Sequence, residues 1–148
     1  MHEVIYTSKR AEGISDQIVI DEIVLPAGLK NRLLDITGCL WFSDTCFLQI
    51  LEGPRDAVED VYAAILNDDR HTEITTVSSS PITQRSFSRW GMRALQGSED
   101  QKIEEIINEY APGFYKKQPA QPISGDESLL EQIRAYLVQL AVVEPAPE

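Results

Sequence analysis

Three observations predict an α+β fold for this chain of 148 residues. Short β-branched and aromatic runs alternate with amphipathic segments of helical spacing, in the order β-α-β-β-α-β-β. A tight polar turn between two adjacent apolar runs indicates a β-hairpin. Two further helical patterns follow the last strand. The sequence therefore predicts a ferredoxin-like βαββαββ sandwich with two additional C-terminal helices.

The first half of the chain supplies the first strand, the first helix and the hairpin. The predicted ranges are a strand at 4–8, a helix at 17–34, and strands at 36–42 and 46–52 around a turn at 43–45. Pro26 and Gly28 interrupt the helix, which we expect to be kinked or split, with Pro26 opening a second piece.

The second half supplies the second helix, two strands and the tail. Gly53 and Pro54 open a helix to residue 66, and strands are predicted at 74–79 and 89–95. A capping-box pattern at 98–101 predicts a helix that ends at Pro112. A Pro-rich linker at 118–125 precedes an amphipathic helix at 126–141, and 144–148 should fray. We expect a domain at 1–96 and a helical extension at 97–148.

Composition narrows the possible partners and compartment. The net charge of −11 disfavours nucleic acid and anionic membrane surfaces as partners. No apolar run has the length of a membrane-spanning helix, and the N-terminus has no signal-peptide pattern. The two cysteines, Cys39 and Cys46, form neither a CxxC motif nor part of a metal cluster. We expect a cytoplasmic protein with reduced thiols and no metal site.

Alternation along the hairpin predicts a sheet that is apolar on both faces. A turn at Asp44-Thr45 places Phe42 opposite Phe47, and Leu40 opposite Gln49, on one face. The other face carries Thr37, Cys39, Trp41, Leu48 and Ile50. The two crossover helices would cover the first face, and the C-terminal helix or a second subunit the other.

Gln49 is a polar residue within an apolar strand, so it needs hydrogen-bond partners. If the first and third strands are neighbours, Tyr6 lies beside it at the bottom of a pocket under the two helices. Residue type alone leaves structural roles open. In such roles, Gln49 would be a structural amide, Tyr6 a core aromatic and Asn31 a helix C-cap. Trp90 and Met92 would be core residues, and Arg70 and His71 would complement a helix dipole.

Several motifs, taken together, resemble the BLUF family of flavin-binding blue-light sensors from about residue 4 to residue 95. They are Ile5-Tyr6-x-Ser8, Asn31, Ile36-Thr37-Gly38, Phe47-x-Gln49-x-Leu51-Glu52-Gly53-Pro54, Asp68-x-Arg70-His71 and Arg85-x-Phe87-x-x-Trp90-x-Met92.

The resemblance implies a flavin, FAD or alternatively FMN, held between the crossover helices. Light would drive electron and proton transfer from Tyr6 to the flavin and back, leaving the hydrogen bonds of Gln49 rearranged. Trp90 and Met92, on the last strand, would relay this change to the C-terminal helices. The cofactor-binding residues it implies are Tyr6, Ser8, Lys30, Asn31, Phe47, Gln49, Asp68, Arg70, His71 and Met92.

The resemblance further implies a short stand-alone photoreceptor that is not an enzyme. Its output would be an effector protein or a change of homo-oligomer. Alternatives are a light-insensitive flavin domain, a flavin enzyme using Tyr6 as acid, and a ferredoxin-like ligand-binding module. Two features depart from the family pattern. Lys30 occupies a variable position, and Tyr6 and Asn31 are 25 positions apart, about one more than usual.

Overall fold

A computed structural model describes residues 1–97 and 127–143 of the chain. The strands are β1 (His2–Arg10), β2 (Thr37–Phe42), β3 (Cys46–Gly53), β4 (His71–Pro81) and β5 (Arg93–Gln96). The helices are α1 (Asp16–Ile18), α2 (Leu25–Leu33), α3 (Arg55–Leu66) and α4 (Glu127–Val143), with a π-helical segment, Val19–Val24, between α1 and α2.

The sheet has the order β4-β1-β3-β2-β5, which confirms the ferredoxin-like prediction with one extra strand. The extra strand, β5, pairs with β2 in parallel at one edge, and the other pairs are antiparallel. The central neighbours β1 and β3 place Tyr6 directly beside Gln49. The predicted hairpin register is also confirmed, because Phe42 pairs with Phe47 and Leu40 with Gln49.

Each face of the sheet has its own apolar core, as the alternation predicted. On the pocket face, Val19 of the π-segment and Val58 of α3 pack against strand residues that include Leu40 and Leu51. The opposite face, called the α4 face below, packs its strand residues against α4. The strand residues are Cys39, Trp41, Leu48 and Ile50, and the α4 residues are Ile133, Leu137 and Ala141.

An ion pair also joins α4 to the sheet. Arg134 donates to both carboxylate oxygens of Glu3 on β1, at 2.6 and 3.0 Å. Glu3 is almost fully buried, and this fork-shaped partner donates hydrogen bonds to both of its carboxylate oxygens. The contact fixes how α4 lies on its face of the sheet.

The first helix is split, as Pro26 predicted, but the break is more specific than a kink. The backbone runs as a π-helix over Val19–Val24, and Pro26 lies in the first turn of α2. A π-segment accommodates one extra residue within a helix. It therefore accounts physically for the long spacing between Tyr6 and Asn31.

The predicted strand at 89–95 is wrong in its first half. Residues 88–92 turn, and β5 begins only at Arg93. Gly91 explains the difference, because it lies against α2 so closely that a Cβ there would be 2.4 Å from the Gly28 carbonyl oxygen. With no strand alternation to follow, Trp90 and Met92 enter opposite cores, the α4-face core and the pocket-face core.

The second helix ends where the sequence predicted. Asp68 and Arg70 lie beyond α3, which ends at Leu66, in the turn before β4. The Asp68 carboxylate accepts the Arg70 backbone N–H at 3.0 Å, which favours a turn over a further helical residue.

The predicted helix that ends at Pro112, the linker at 118–125 and the end at 144–148 fall outside the described residues. Among the residues that the structure does describe, no helix is long and apolar enough to cross a membrane.

Candidate functional site

A cavity of about 230 Å³ lies between the first helical region and α3, with the pocket face of the sheet as its floor. Residues on its apolar walls include Ile23, Ala27, Leu40, Leu51, Val61 and Ile65. Eight of the ten predicted cofactor residues line it: Tyr6, Lys30, Asn31, Phe47, Gln49, Asp68, Arg70 and His71. An apolar cleft with a few convergent polar groups is the usual form of a ligand site.

A chain of two hydrogen bonds crosses the floor of the cavity. The Tyr6 hydroxyl donates to the Gln49 side-chain carbonyl, and Gln49 Nε2 donates to the Met92 sulfur at 3.5 Å. All three side chains are buried. Met92 contacts Gln49, which lines the cavity, but Met92 itself does not line it.

Tyr6 is held as a neutral phenol. Burial raises its pKa above the ordinary value, and the neighbouring Tyr62 and Asp68 raise it further. The Tyr62 ring lies against the Tyr6 ring at a centroid distance of 5.4 Å, and its own hydroxyl bonds Thr76. Tyr6 thus keeps its proton for Gln49 throughout the physiological pH range.

His71 has a defined tautomer. Its Nε2 lies 2.8 Å from the Ile65 carbonyl oxygen, which can only accept, so Nε2 carries the proton. Nδ1 of the neutral ring is then an acceptor, and the Ser8 hydroxyl donates to it at 2.7 Å. Ser8, a predicted cofactor residue, is not on the lining and instead orients His71.

Asn31 is buried, and its side chain is not a C-cap. Nδ2 donates to the Gly91 carbonyl at 3.1 Å, which ties α2 to the turn before β5. Asn31 also lines the cavity. Lys30, its neighbour, is exposed at the cavity edge.

Arg70 joins the two sides of the cavity mouth. Its guanidinium binds both Asp68 carboxylate oxygens and also donates from Nη1 to the Glu22 backbone carbonyl at 3.0 Å. The hydrogen bonds that the Arg70 guanidinium donates to the Asp68 carboxylate lower the pKa of Asp68. In a regular α-helix the N–H of residue 26 would donate to the Glu22 carbonyl, and Pro26 has no N–H.

Sequence reasoning missed two kinds of site residue. Glu22 and Ile23 reach the cavity because the π-segment changes which helix residues face inward. Gly91 takes part through its backbone carbonyl, for which side-chain type gives no signal.

The donor set fits a flavin. The apolar walls suit a flat tricyclic ring, and the two amides, Gln49 and Asn31, can pair with the hydrogen-bonding edge of such a ring. The volume lies below the usual ~300–1,000 Å³ of ligand pockets, so it suits the ring system of a flavin rather than a whole flavin nucleotide.

Comparison with known proteins supports the same assignment. The family model BLUF, "Sensors of blue-light using FAD", matches residues 1–93. Photoactivated adenylate cyclase subunit beta of Euglena longa is 37% identical over 108 residues, which cover 72% of this chain. The blue light- and temperature-regulated antirepressor BluF of Escherichia coli is 29% identical over 80% of the chain. The chain spans only 12% of the cyclase subunit's length and 28% of the antirepressor's.

Solved structures share the fold. The photo-activated state of BlsA superposes with a TM-score of 0.70 at 24% identity, covering 99% of this chain and 98% of the other. The dark state of BlrB gives 0.68 at 24% identity, over 93% and 95%. With eight of the ten predicted cofactor residues lining one cavity and a family match over 63% of its length, the chain belongs to the BLUF family of flavin-binding blue-light photoreceptors.

Proposed function

We propose that Tyr6 and Gln49 are the photoactive pair of this sensor. The observation that carries the proposal is the hydrogen bond from the Tyr6 phenol to the Gln49 amide on the cavity floor. The phenol is buried and neutral, so it has a proton to give, and the amide beside it has a donor end and an acceptor end.

A bound flavin supplies absorption of blue light and the capacity to take up an electron and a proton. Tyr6 holds the exchangeable proton at its hydroxyl oxygen, directed at Gln49. Gln49 can meet the Tyr6 oxygen with either end of its amide, since a hydroxyl both donates and accepts. The two orientations are therefore alternative states of one buried residue.

The two orientations differ at Met92. A thioether sulfur accepts hydrogen bonds and cannot donate them. The Gln49 N–H therefore satisfies the sulfur in the present orientation, and a reversed amide would turn its carbonyl oxygen toward Met92 instead. Reversal removes the contact and favours displacement of Met92. This gives the switch a mechanical consequence.

The output route runs through residues 90–92 to α4. The Asn31 amide donates to the Gly91 carbonyl, and the Gln49 amide donates to the Met92 sulfur. Trp90 lies in the core that contains α4. Displacement of Met92 would therefore reach α4 through Trp90. We infer that 1–96 senses light and that 97–148 carries the signal to an effector protein or to a homo-oligomer.

The cofactor we propose is FAD, the flavin named in the family description. Lys30, Phe47, Asp68 and His71 would contact it besides the photoactive pair and Asn31, with Arg70 at the mouth. We also infer a cytoplasmic location, because the two cysteines are buried and are not joined in a disulfide.

Purified protein tests the proposal directly. It should be yellow and release FAD on denaturation, identified by chromatography against FMN. Blue light should produce a small red shift of the flavin absorption that reverses in the dark. Protein that stays colourless when supplied with flavin, or that holds flavin without a reversible shift, would contradict it.

A further inference from the structure

Within residues 1–97, exposed large apolar side chains concentrate on α2. Leu25, Leu29 and Leu33 are 58%, 72% and 88% exposed. Their spacing of four residues puts them in one row along the helix. A contiguous apolar row on an otherwise strongly charged chain marks an interaction surface.

The row has the geometry that helices use to pack on one another. Rows of i, i+4 side chains on two helices interdigitate in the commonest class of helix packing. A row of three has a central member, Leu29. Two copies related by a two-fold axis near Leu29 would bring Leu25 of each against Leu33 of the other.

The charges beside the row are complementary to a reversed copy of themselves. Exposed Asp21 and Glu22 precede α2, whereas exposed Lys30 and Arg32 lie toward its C-terminal end. In an antiparallel pair, the acidic end of each helix faces the basic end of the other, and the helix dipoles oppose. The self-complementary pattern favours a second copy over a partner of uniform charge.

We propose that the ridge formed by Leu25, Leu29 and Leu33 is the surface through which two copies of this chain associate. The proposal refines the homo-oligomer inferred above and does not depend on the photochemistry. Its position on α2, which also carries Asn31, places the contact beside the light-sensing cavity.

Sedimentation of the flavin-loaded full chain in the dark tests the proposal. The wild type should reach the mass of a dimer with rising concentration. The double variant L29E/L33E should raise the dissociation constant at least about a hundredfold, because two leucines per copy lose their burial. L66E is the matched control, since Leu66 is an exposed leucine, 49% exposed, at the end of α3.

A cross-linking variant gives an independent readout. L29C should form an intermolecular disulfide under mild oxidation because position 29 lies near its own copy at the two-fold axis, whereas L66C should not. Circular dichroism and the flavin spectrum check that each variant folds. A wild type that stays monomeric at hundreds of micromolar, or a dimer unaffected by L29E/L33E, overturns the proposal. A normal red shift in the same samples separates that failure from failure of the photoreceptor.

Discussion

The donor end of the Gln49 amide meets a sulfur, whereas its acceptor end meets a phenol. Sulfur is a weak acceptor, so the side chain is held firmly at one end and loosely at the other. Such an asymmetry suits the proposed reorientation of Gln49.

Removing the Tyr6 hydroxyl isolates its role. Y6F should bind flavin and lose the red-shifted state, because phenylalanine has no transferable proton. Absorption difference spectra under blue light measure the effect. Y62F is the matched control, because that ring packs against Tyr6 while its hydroxyl bonds Thr76 instead. A normal photocycle in Y6F would refute the role.

The burial of Tyr6 also predicts a dependence of stability on alkaline pH. Burial raises its pKa in the folded state, whereas in the unfolded chain the phenol ionises near its ordinary value of about 10. Below pH 10 the stabilisation is fully present, and above it the unfolded state loses protons that the folded state keeps. The free energy of unfolding should then fall by about 1.4 kcal/mol per pH unit.

Urea unfolding of the wild type and Y6F between pH 9 and pH 12 measures this fall in the free energy of unfolding. We expect the wild-type value to fall by about 1.4 kcal/mol per pH unit more than that of Y6F. Burial also raises the pKa of Tyr62 and Cys39, and these groups affect both proteins equally. Only the difference between the two curves belongs to Tyr6. Parallel curves would show that Tyr6 titrates normally in the folded protein.

At the residue scale, the sequence predicted those parts of the site that depend on strand alternation. The pairings of Gln49 with Leu40 and Tyr6 follow from the parity of three strands. The role of Ser8 could not be predicted in this way, because it depends on the tautomer of His71 and on the end of α3. Gly91 contributes only its backbone.

At the scale of elements, the two walls of the cavity are joined by one side chain. Arg70 connects the turn after α3 to the π-segment through the Glu22 carbonyl. R70Q should release flavin about tenfold faster, because one charge-assisted hydrogen bond across the mouth is lost. The measurement is the recovery of flavin fluorescence on dilution.

The control for this variant is R55Q. Arg55 is an exposed arginine on α3 that pairs only with Glu59 one turn away among the contacts described. Its loss should leave the release rate unchanged. Equal release rates for R70Q and wild type would show that the Arg70 contact does not hold the cavity closed.

The elements that the sequence predicted well are those with a repeating pattern. α3 has apolar residues at helical spacing, and the hairpin strands alternate, so both appear close to their predicted ranges. The π-segment and the turn at 88–92 have no such repeat. Each makes a tertiary contact that no local pattern reveals, Arg70 on Glu22 and Gly91 on Gly28.

At the scale of the whole molecule, the sheet separates the cavity from α4. The hairpin strands have apolar residues on both faces, which predicted that both faces of the sheet are covered. Helix α4 covers the second face. The Glu3–Arg134 pair adds a buried ionic contact to this packing. The cavity and the proposed output helix thus lie on opposite faces of one sheet.

Hydrogen exchange of the full chain in darkness and under blue light tests the connection. Light should speed exchange in 90–92 and in α4 because Met92 loses its contact with Gln49. β4, at the far edge, should not change. Q49L should bind flavin and lose the light effect in both regions. A wild-type change confined to the cavity walls would contradict the proposed route.

The turn at 88–92 precedes an edge strand, so the connection between the faces passes around the rim of the sheet. The central pair β1 and β3 can stay rigid while the output element moves. Any helix that packs on Trp90 would experience the same displacement, whatever sequence it carries elsewhere. The proposed route is therefore compatible with interchangeable output segments, because only the contact with residues 90–92 has to be kept.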